Sequence, residues 1–173
     1  MNDLKSQLIK ARMQLNIAEV PKDPYLVEKL QISTHRVRMV KNPLPVPTTC
    51  PHCGGSVGLY NNKKVYRGRE FGDWPYVYLC ENDACAAHVG LHPQTDIPYG
   101  TLATDVIRQA RTYAKQSFNP LWEGGNMTRT EAYEWLAAQM SISDVNQCHI
   151  GWFDEAQCEQ VVEVCDKFLG YSM

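Results

Sequence analysis

Four of the seven cysteines form two pairs whose spacing suits a metal site. Cys50 and Cys53 are separated by two residues, and Cys80 and Cys85 follow after 26 residues with four residues between them. A tight turn within such a pair brings two thiolates to one side, and the two glycines after Cys53 would let the backbone curl around an ion. The pattern predicts a structural zinc site, with Zn²⁺ as the cofactor and all four thiolates as ligands.

Other uses of these residues stay open. The cysteines could be buried free thiols or, less readily in a reducing cytosol, disulfides. His88 or His92 could replace one cysteine in a Cys3His site, whereas His52, inside the first pair, is expected to point to solvent. Cys158 and Cys165 lie seven residues apart on a predicted helix, which favours buried thiols over a second metal site.

The sequence contains no signature of a catalytic site. Phosphate-binding loop, HExxH and GxSxG motifs are absent, and His149 near Asp154 and Glu155 is the only candidate grouping. Four thiolates would also fill the coordination positions of zinc and leave no water to activate. We therefore expect a protein that is not an enzyme.

Positive charge is concentrated in one part of the chain, although the net charge is only −2. Residues 1–116 contain 15 lysines and arginines and 10 acidic residues, whereas residues 117–173 contain 2 and 9. Residues 34–72 contain seven cations and a single acid, Glu70. A basic segment of this kind attracts polyanions. The predicted nucleic-acid-binding cations are Arg36, Arg38, Lys63, Lys64, Arg67 and Arg69.

Residues 50–100 are rich in glycine, aromatic and β-branched residues, which favours short strands joined by turns. We predict strands over 55–60 and 64–70, with Asn61-Asn62 at the hairpin tip, and a third strand over 74–80. On this hairpin Lys63, Arg67 and Arg69 would share one strand face and contact phosphates.

The third predicted strand carries alternating aromatic residues. Trp74, Tyr76 and Tyr78 would share one face, and Trp74 and Tyr76 are the residues expected to stack on unpaired bases. Alternatively, this aromatic face packs against the C-terminal helices, since a zinc ribbon has little core of its own.

Helical periodicity predicts helices over 3–16, after Asp23-Pro24, over 101–116, after Thr128 and from Asp154. Three prolines in residues 42–49 predict an extended linker. The predicted fold class is α+β: a small four-cysteine zinc ribbon with an N-terminal helical extension and a C-terminal three-helix part. The predicted domains are 1–41, the helical extension; 42–49, the proline-rich linker; 50–100, the zinc ribbon; and 101–173, the helical part.

The C-terminal helices are expected to bury one face each. In the first, Val106 belongs to the predicted core stripe, and Thr128 and Glu131 predict a capping box at the start of the second. Asp154 and Gln157 mark the start of the third. The residues that we expect in this core include Trp135, Leu136, Val162, Cys165 and Phe168.

The composition is that of a globular protein, with 44% hydrophobic and 21% charged residues. No apolar stretch is long enough for a membrane span, and the first fifteen residues lack the features of a secretory signal. We expect a cytoplasmic protein with no membrane partner, located in the bacterial host if the chain is phage-encoded.

Several segments together resemble the zinc-finger-containing domain family of bacteriophages and bacteria. They are CPHCGG at 50–55, WPYVYLC at 74–80, CAAHVGLHPQT at 85–95, PYGTLA at 98–103, FNPLW at 118–122, MTRTEAYEWLA at 127–137 and CHIGWFDEAQC at 148–158. The resemblance covers roughly residues 50–169 and implies zinc and a phage-like origin, but no particular reaction. The cysteine pairs also resemble, more weakly and locally, the zinc ribbons of type IA topoisomerases, which bind single-stranded DNA.

These observations predict a zinc-stabilised nucleic-acid-binding accessory protein of phage-like origin that favours single strands. The alternative is a protein-interaction module or inhibitor that binds a host enzyme through the acidic helical half of the chain. Nucleic acid or a host protein is thus the expected partner.

Overall fold

The computed structural model describes residues 30–171, and its fold is α+β as predicted. The chain divides into two compact units, one ending at Thr104 and one beginning at Asp105. The helices predicted over 3–16 and after Asp23-Pro24 lie outside the described residues. Between residues 30 and 171, no helix has both the length and the apolar character needed to cross a membrane.

The first unit contains one short helix and one sheet. Helix α1 spans Thr34–Met39, and Ser33 caps its N-terminus. The sheet has three antiparallel strands in the order β1-β2-β3. The strands are β1 (Val57–Asn61), β2 (Tyr76–Cys80) and β3 (His88–Gly90). Val57 pairs with Cys80, so this register places one cysteine at the end of the central strand.

The core of the first unit lies around this central strand. Leu59 and Tyr78 are opposite each other in the register, and both are buried. The Tyr78 hydroxyl donates a hydrogen bond of 2.6 Å to the carbonyl of Asp96, which satisfies its polar end inside the core. Cys50 and Cys80 are buried in the same cluster. Two of the four candidate metal ligands are therefore part of the core itself.

The hairpin predicted between 55–60 and 64–70 is wrong, because residues 64–70 form no strand. A 3₁₀ turn at Asn62–Lys64 follows β1 directly, and β1 pairs with β2 instead. Arg67 and Gly68 have φ values of 52° and 83°, in the left-handed region that extended strands do not use. Lys63, Arg67 and Arg69 therefore do not share a strand face.

The second unit is helical. It contains α2 (Asp105–Phe118), α3 (Pro120–Glu123), α4 (Arg129–Gln139) and α5 (Glu155–Leu169), with 3₁₀ turns at Val145–Gln147 and Ile150–Trp152. The predicted capping box is present at Thr128 with Glu131, and a second box, at Asp154 with Gln157, lies at the predicted start of the third helix. The starts of α4 and α5 could be read from the sequence because capping is a local interaction.

The core of the second unit agrees with the prediction except at its edge. Leu136 and Cys165 are fully buried, and Trp135 and Val162 are half-buried. Phe168, predicted as core, is 53% exposed and packs against the Trp135 ring at 4.8 Å between centroids. Val106 is also outside the core, with 54% of its surface exposed. Helical periodicity identified the side of each helix that faces the core. It could not show how far along the helix that side is covered by a neighbour.

Candidate metal centre

Four cysteine side chains from the two predicted pairs lie together in the first unit. The sulfur atoms of Cys50, Cys53, Cys80 and Cys85 all lie within 4.8 Å of one another. The Cys53 and Cys80 sulfurs are 3.4 Å apart, and the Cys50 and Cys85 sulfurs are 3.7 Å apart. Among residues 30–171 no other group of cysteine, histidine and acidic residues has this arrangement. The cluster has the donor set and the compactness of a metal centre.

Two turns and one strand position these thiols. The first turn is closed by hydrogen bonds from the Cys50 N–H to the Gly55 carbonyl at 2.8 Å and from the Gly54 N–H to the Cys50 carbonyl at 2.9 Å. Cys80 is the last residue of β2. The second turn begins at Asn82, whose carbonyl accepts a bond of 2.9 Å from the Cys85 N–H. The sheet thus joins two knuckles that face one another.

Gly55 has no side chain at the point where two sulfurs approach the backbone. A Cβ atom on this residue would lie 3.2 Å from the Cys53 sulfur and 3.3 Å from the Cys80 sulfur. Its N–H also lies 3.4 Å from the Cys53 sulfur, to which it donates a hydrogen bond. The absence of a side chain on Gly55 therefore permits this close approach of sulfur to backbone.

The surroundings of the thiols differ in ways that affect their ionisation. The hydrogen bond from the Gly55 N–H, aided by the Cys80 thiol, lowers the pKa of Cys53 to about 7. Burial raises the pKa of Cys80 to about 12. Cys53 is exposed whereas Cys50 and Cys80 are buried. A metal ion would therefore have to displace a proton from Cys80, which makes its affinity depend on pH.

The neighbouring histidines lie outside the four-sulfur cluster. His88 is buried, and its Nδ1 lies 3.1 Å from the Ala86 carbonyl. The His92 ring packs against Tyr99 at 4.4 Å between centroids. His52 is exposed, as expected, and its Nε2 lies 2.8 Å from the Leu102 carbonyl, to which a protonated Nε2 would donate. The cluster is thus made of cysteines alone.

The predicted basic residues fall into two groups within the first unit. Arg36 and Arg38 are exposed on α1, where the Arg36 Nε donates to the Gln94 side chain at 3.3 Å. The other four cations lie in residues 62–72, which we call the basic loop. The Lys64 ammonium lies 3.7 Å from the centre of the Tyr60 ring. Arg67 and Arg69 line one shallow pocket of about 560 Å³.

The same pocket is lined by two aromatic residues that the sequence analysis did not select, Tyr66 and Phe71. They are 44% and 53% exposed, and their rings meet edge to face at 5.0 Å. Tyr66 directly precedes Arg67, and one residue separates Arg69 from Phe71. This proximity of aromatic residues to arginines in the sequence could have identified them. The prediction instead favoured the strand at 74–80, where aromatic residues are denser.

The predicted stacking residues are partly buried against the core of the first unit. Trp74 is half-buried, and its indole N–H donates a hydrogen bond of 3.0 Å to the Thr95 carbonyl. The rings of Trp74 and Tyr76 meet edge to face at 4.9 Å, and both pack against the buried cluster that contains Tyr78. Both rings thus pack against the first unit's own core, whereas the packing alternative had named the C-terminal helices as their partner.

No curated protein and no solved structure matches the chain. A family match covers residues 46–168, a range that includes all four clustered cysteines. The chain therefore belongs to the zinc-finger-containing domain family.

Proposed function

We propose that the chain is a zinc-stabilised nucleic-acid-binding accessory protein of phage-like origin, which binds single strands through the basic loop. The observation that carries this proposal is the pairing of two arginines with two exposed aromatic rings around one shallow pocket. Such surfaces bind single strands because cations contact phosphates while aromatic rings stack on bases.

Zinc is the metal that best suits the four-cysteine cluster. A Zn–S bond length of about 2.3 Å in a tetrahedron requires sulfurs about 3.8 Å apart. The sulfur separations of 3.4 and 3.7 Å are close to that value. Four thiolates complete the coordination of zinc, so we assign the ion a structural role and propose no catalysis.

The charge of the basic loop is open to a polyanion. Arg67 and Arg69 are exposed. Glu70, the acid within the loop, accepts a hydrogen bond of 2.5 Å from the Asn61 side chain, which directs its carboxylate toward the end of β1. The loop is also held in shape, because the buried Asn62 side chain bonds both backbone groups of Phe71. A preorganised loop loses less conformational entropy on binding.

Titration of the zinc-loaded protein with labelled single- and double-stranded oligonucleotides at several salt concentrations tests the proposal. Single strands should bind more tightly, and log affinity should fall with log salt by about 0.7 for each phosphate contact. Replacing Arg67 and Arg69 together by alanine should reduce this slope by the equivalent of one to two contacts. The matched control replaces Lys115 and Lys167, which removes the same charge from the other unit.

Stacking is tested separately from charge. Tyr66→Ala and Phe71→Ala should each weaken single-strand binding by about 1–3 kcal/mol and leave the salt slope nearly unchanged. Tyr171→Ala removes another exposed aromatic ring and should have no effect. Absence of binding at about 50 mM salt, where electrostatic attraction is strong, would overturn the nucleic-acid proposal.

A further inference from the structure

A groove runs along the second unit between helices α2 and α5. Its volume is about 760 Å³. Residues on α2 recur with the i, i+3, i+4, i+7 spacing of one helix face, as do those on α5. The α2 side is formed by Val106, Gln109, Ala110 and Tyr113.

The two sides of the groove differ in chemistry. Val106 and Tyr113 are more than half exposed on α2, and the buried Cys158 and half-buried Val162 contribute to the lining from α5. The α5 side also carries a row of carboxylates, and Lys167 is the only cation among the described lining residues. The row consists of Glu155, Glu159, Glu163 and Asp166. Apolar surface thus lies directly beside regularly spaced negative charge.

We propose that this groove binds a cationic amphipathic helix of a partner protein. Glu155, Glu159 and Glu163 recur every four residues, which is about 6 Å along a helix axis. A partner helix with lysines or arginines at the same interval would place one cation near each carboxylate. Its apolar face would then cover Val106, Tyr113 and Val162, in the manner of other helix-in-groove complexes.

The length of the groove fixes the size of the partner segment. The acidic row extends from residue 155 to residue 166, or about 16 Å at 1.5 Å per residue. This corresponds to about three turns of a partner helix. Charge complementarity selects the partner, because an acidic helix with the same apolar face would meet repulsion along the whole row. The site is independent of the basic loop and of the proposed nucleic-acid function.

Binding of designed peptides to the full, zinc-loaded chain tests the proposal. The probe is a labelled peptide of about 15 residues with leucines on one helical face and lysines every fourth residue beside them. The comparison peptide has the same composition in an order that scatters the leucines around the helix. Fluorescence anisotropy should show binding of the first peptide and at least about tenfold weaker binding of the second.

Variants of the chain test the apolar and acidic sides separately. Val106→Asp should weaken peptide binding by about tenfold, whereas Val145→Asp, at another exposed valine of the same unit, should not. The double variant Glu159→Gln with Glu163→Gln should weaken binding about fivefold and reduce its salt dependence. Glu134→Gln, on α4, is the charge control. Circular dichroism verifies that each variant is folded, and oligonucleotide affinity should be unchanged throughout.

Several outcomes would overturn the proposal. Equal binding of both peptides would show that the peptide is held by non-specific charge attraction and that its apolar face is not recognised. Unchanged peptide binding by the Val106→Asp variant would show that the peptide binds outside the groove. If light scattering finds that the wild type is a dimer and Val106→Asp is a monomer, the occupant is a second copy of the chain. If replacing Lys5, Lys10 and Arg12 by glutamate strengthens peptide binding, the occupant is the N-terminal segment of the chain itself.

Discussion

At the scale of single residues, the candidate metal centre has little room for a side chain at Gly55. Gly55 leaves space that a methyl group would fill at 3.2 Å from one ligand sulfur and 3.3 Å from another. Free thiols could move aside by a few tenths of an ångström, but sulfurs held by a metal have fixed positions. Steric pressure at Gly55 should therefore affect the metal-bound state most.

Gly55→Ala should weaken metal retention more than folding of the helical unit. We expect zinc to pass to a coloured competing chelator severalfold faster from this variant than from the wild type. Ser56→Ala, at the next and exposed position, is the control. Equal transfer rates for Gly55→Ala and wild type would show that the turn can relax, and the proposed steric role would then be wrong.

The exposure of Phe168 changes what its removal should cost. Leu136→Ala opens a cavity in a fully buried site and should lower the free energy of unfolding by about 2–5 kcal/mol. Phe168→Ala removes a half-exposed ring and should cost only about 1 kcal/mol. Urea denaturation of the two variants checks the order. A larger loss of unfolding free energy for Phe168→Ala than for Leu136→Ala would show that the Phe168 ring contributes as much as a core side chain.

The sequence was sufficient to identify residues whose partners are close to them along the chain. The cysteine pairs and the capping residues Thr128 and Asp154 were identified because their partners lie within a few positions. Trp74 could not be assigned in this way, since its partner is the carbonyl of Thr95, 21 residues away. Contacts at such a distance are set by the packing of the whole unit.

At the scale of elements, the basic loop shows why a predicted strand failed. The β-branched and aromatic residues Val65 and Tyr66 favour a strand, but the Asn62 side chain binds the backbone of Phe71 through two hydrogen bonds, at 2.8 and 3.2 Å. These bonds close a loop and use backbone groups that a strand would pair with a neighbour. The neighbouring position beside β1 is then taken by β2.

Asn62→Ala should release the loop without changing its charge. The loss of two partly buried hydrogen bonds should cost about 1–3 kcal/mol of stability. Single-strand affinity should fall although all four cations remain, while zinc content stays the same. Asn126→Ala, at an exposed site in the other unit, is the control. Unchanged affinity in Asn62→Ala would show that loop order contributes nothing to binding.

The capping box of α4 gives a prediction about pH. The Thr128 backbone N–H donates a hydrogen bond of 2.6 Å to the Glu131 carboxylate, and this bond, followed by the Thr128 hydroxyl, lowers the pKa of Glu131. Because the folded state has the lower pKa, the stabilisation is fully present above the ordinary value of 4.5 and is lost as the pH falls through the folded-state value.

Glu131→Gln should therefore be less stable than the wild type at neutral pH, and the difference should shrink in acid. Glutamine can still complete the capping box, so the comparison isolates the charge. Urea midpoints measured across the acidic range check this, with Glu134→Gln on the same helix as the control. A difference that stays constant with pH would contradict the assigned ionisation.

At the scale of the whole molecule, we expect the two units to depend on a bound metal to different degrees. The sheet of the first unit has strands of only five, five and three residues, and two of the four clustered cysteines are part of its buried core. The second unit has a separate core that includes Leu136, Ile150 and Val161. Small modules of the first kind obtain much of their folding free energy from the bound ion.

Chelation should consequently unfold the first unit while the second keeps part of its structure. After zinc removal, hydrogen exchange should become fast in β1, β2 and β3, whereas amides in α2, α4 and α5 should retain measurable protection. Cys53→Ala should reproduce this pattern without a chelator, because it removes an exposed ligand whose own packing contributes little. Agreement between the two treatments would assign the effect to the metal centre rather than to the chelator. Full protection of the three strands in both experiments would show that the first unit folds without metal, since its core would then be sufficient on its own.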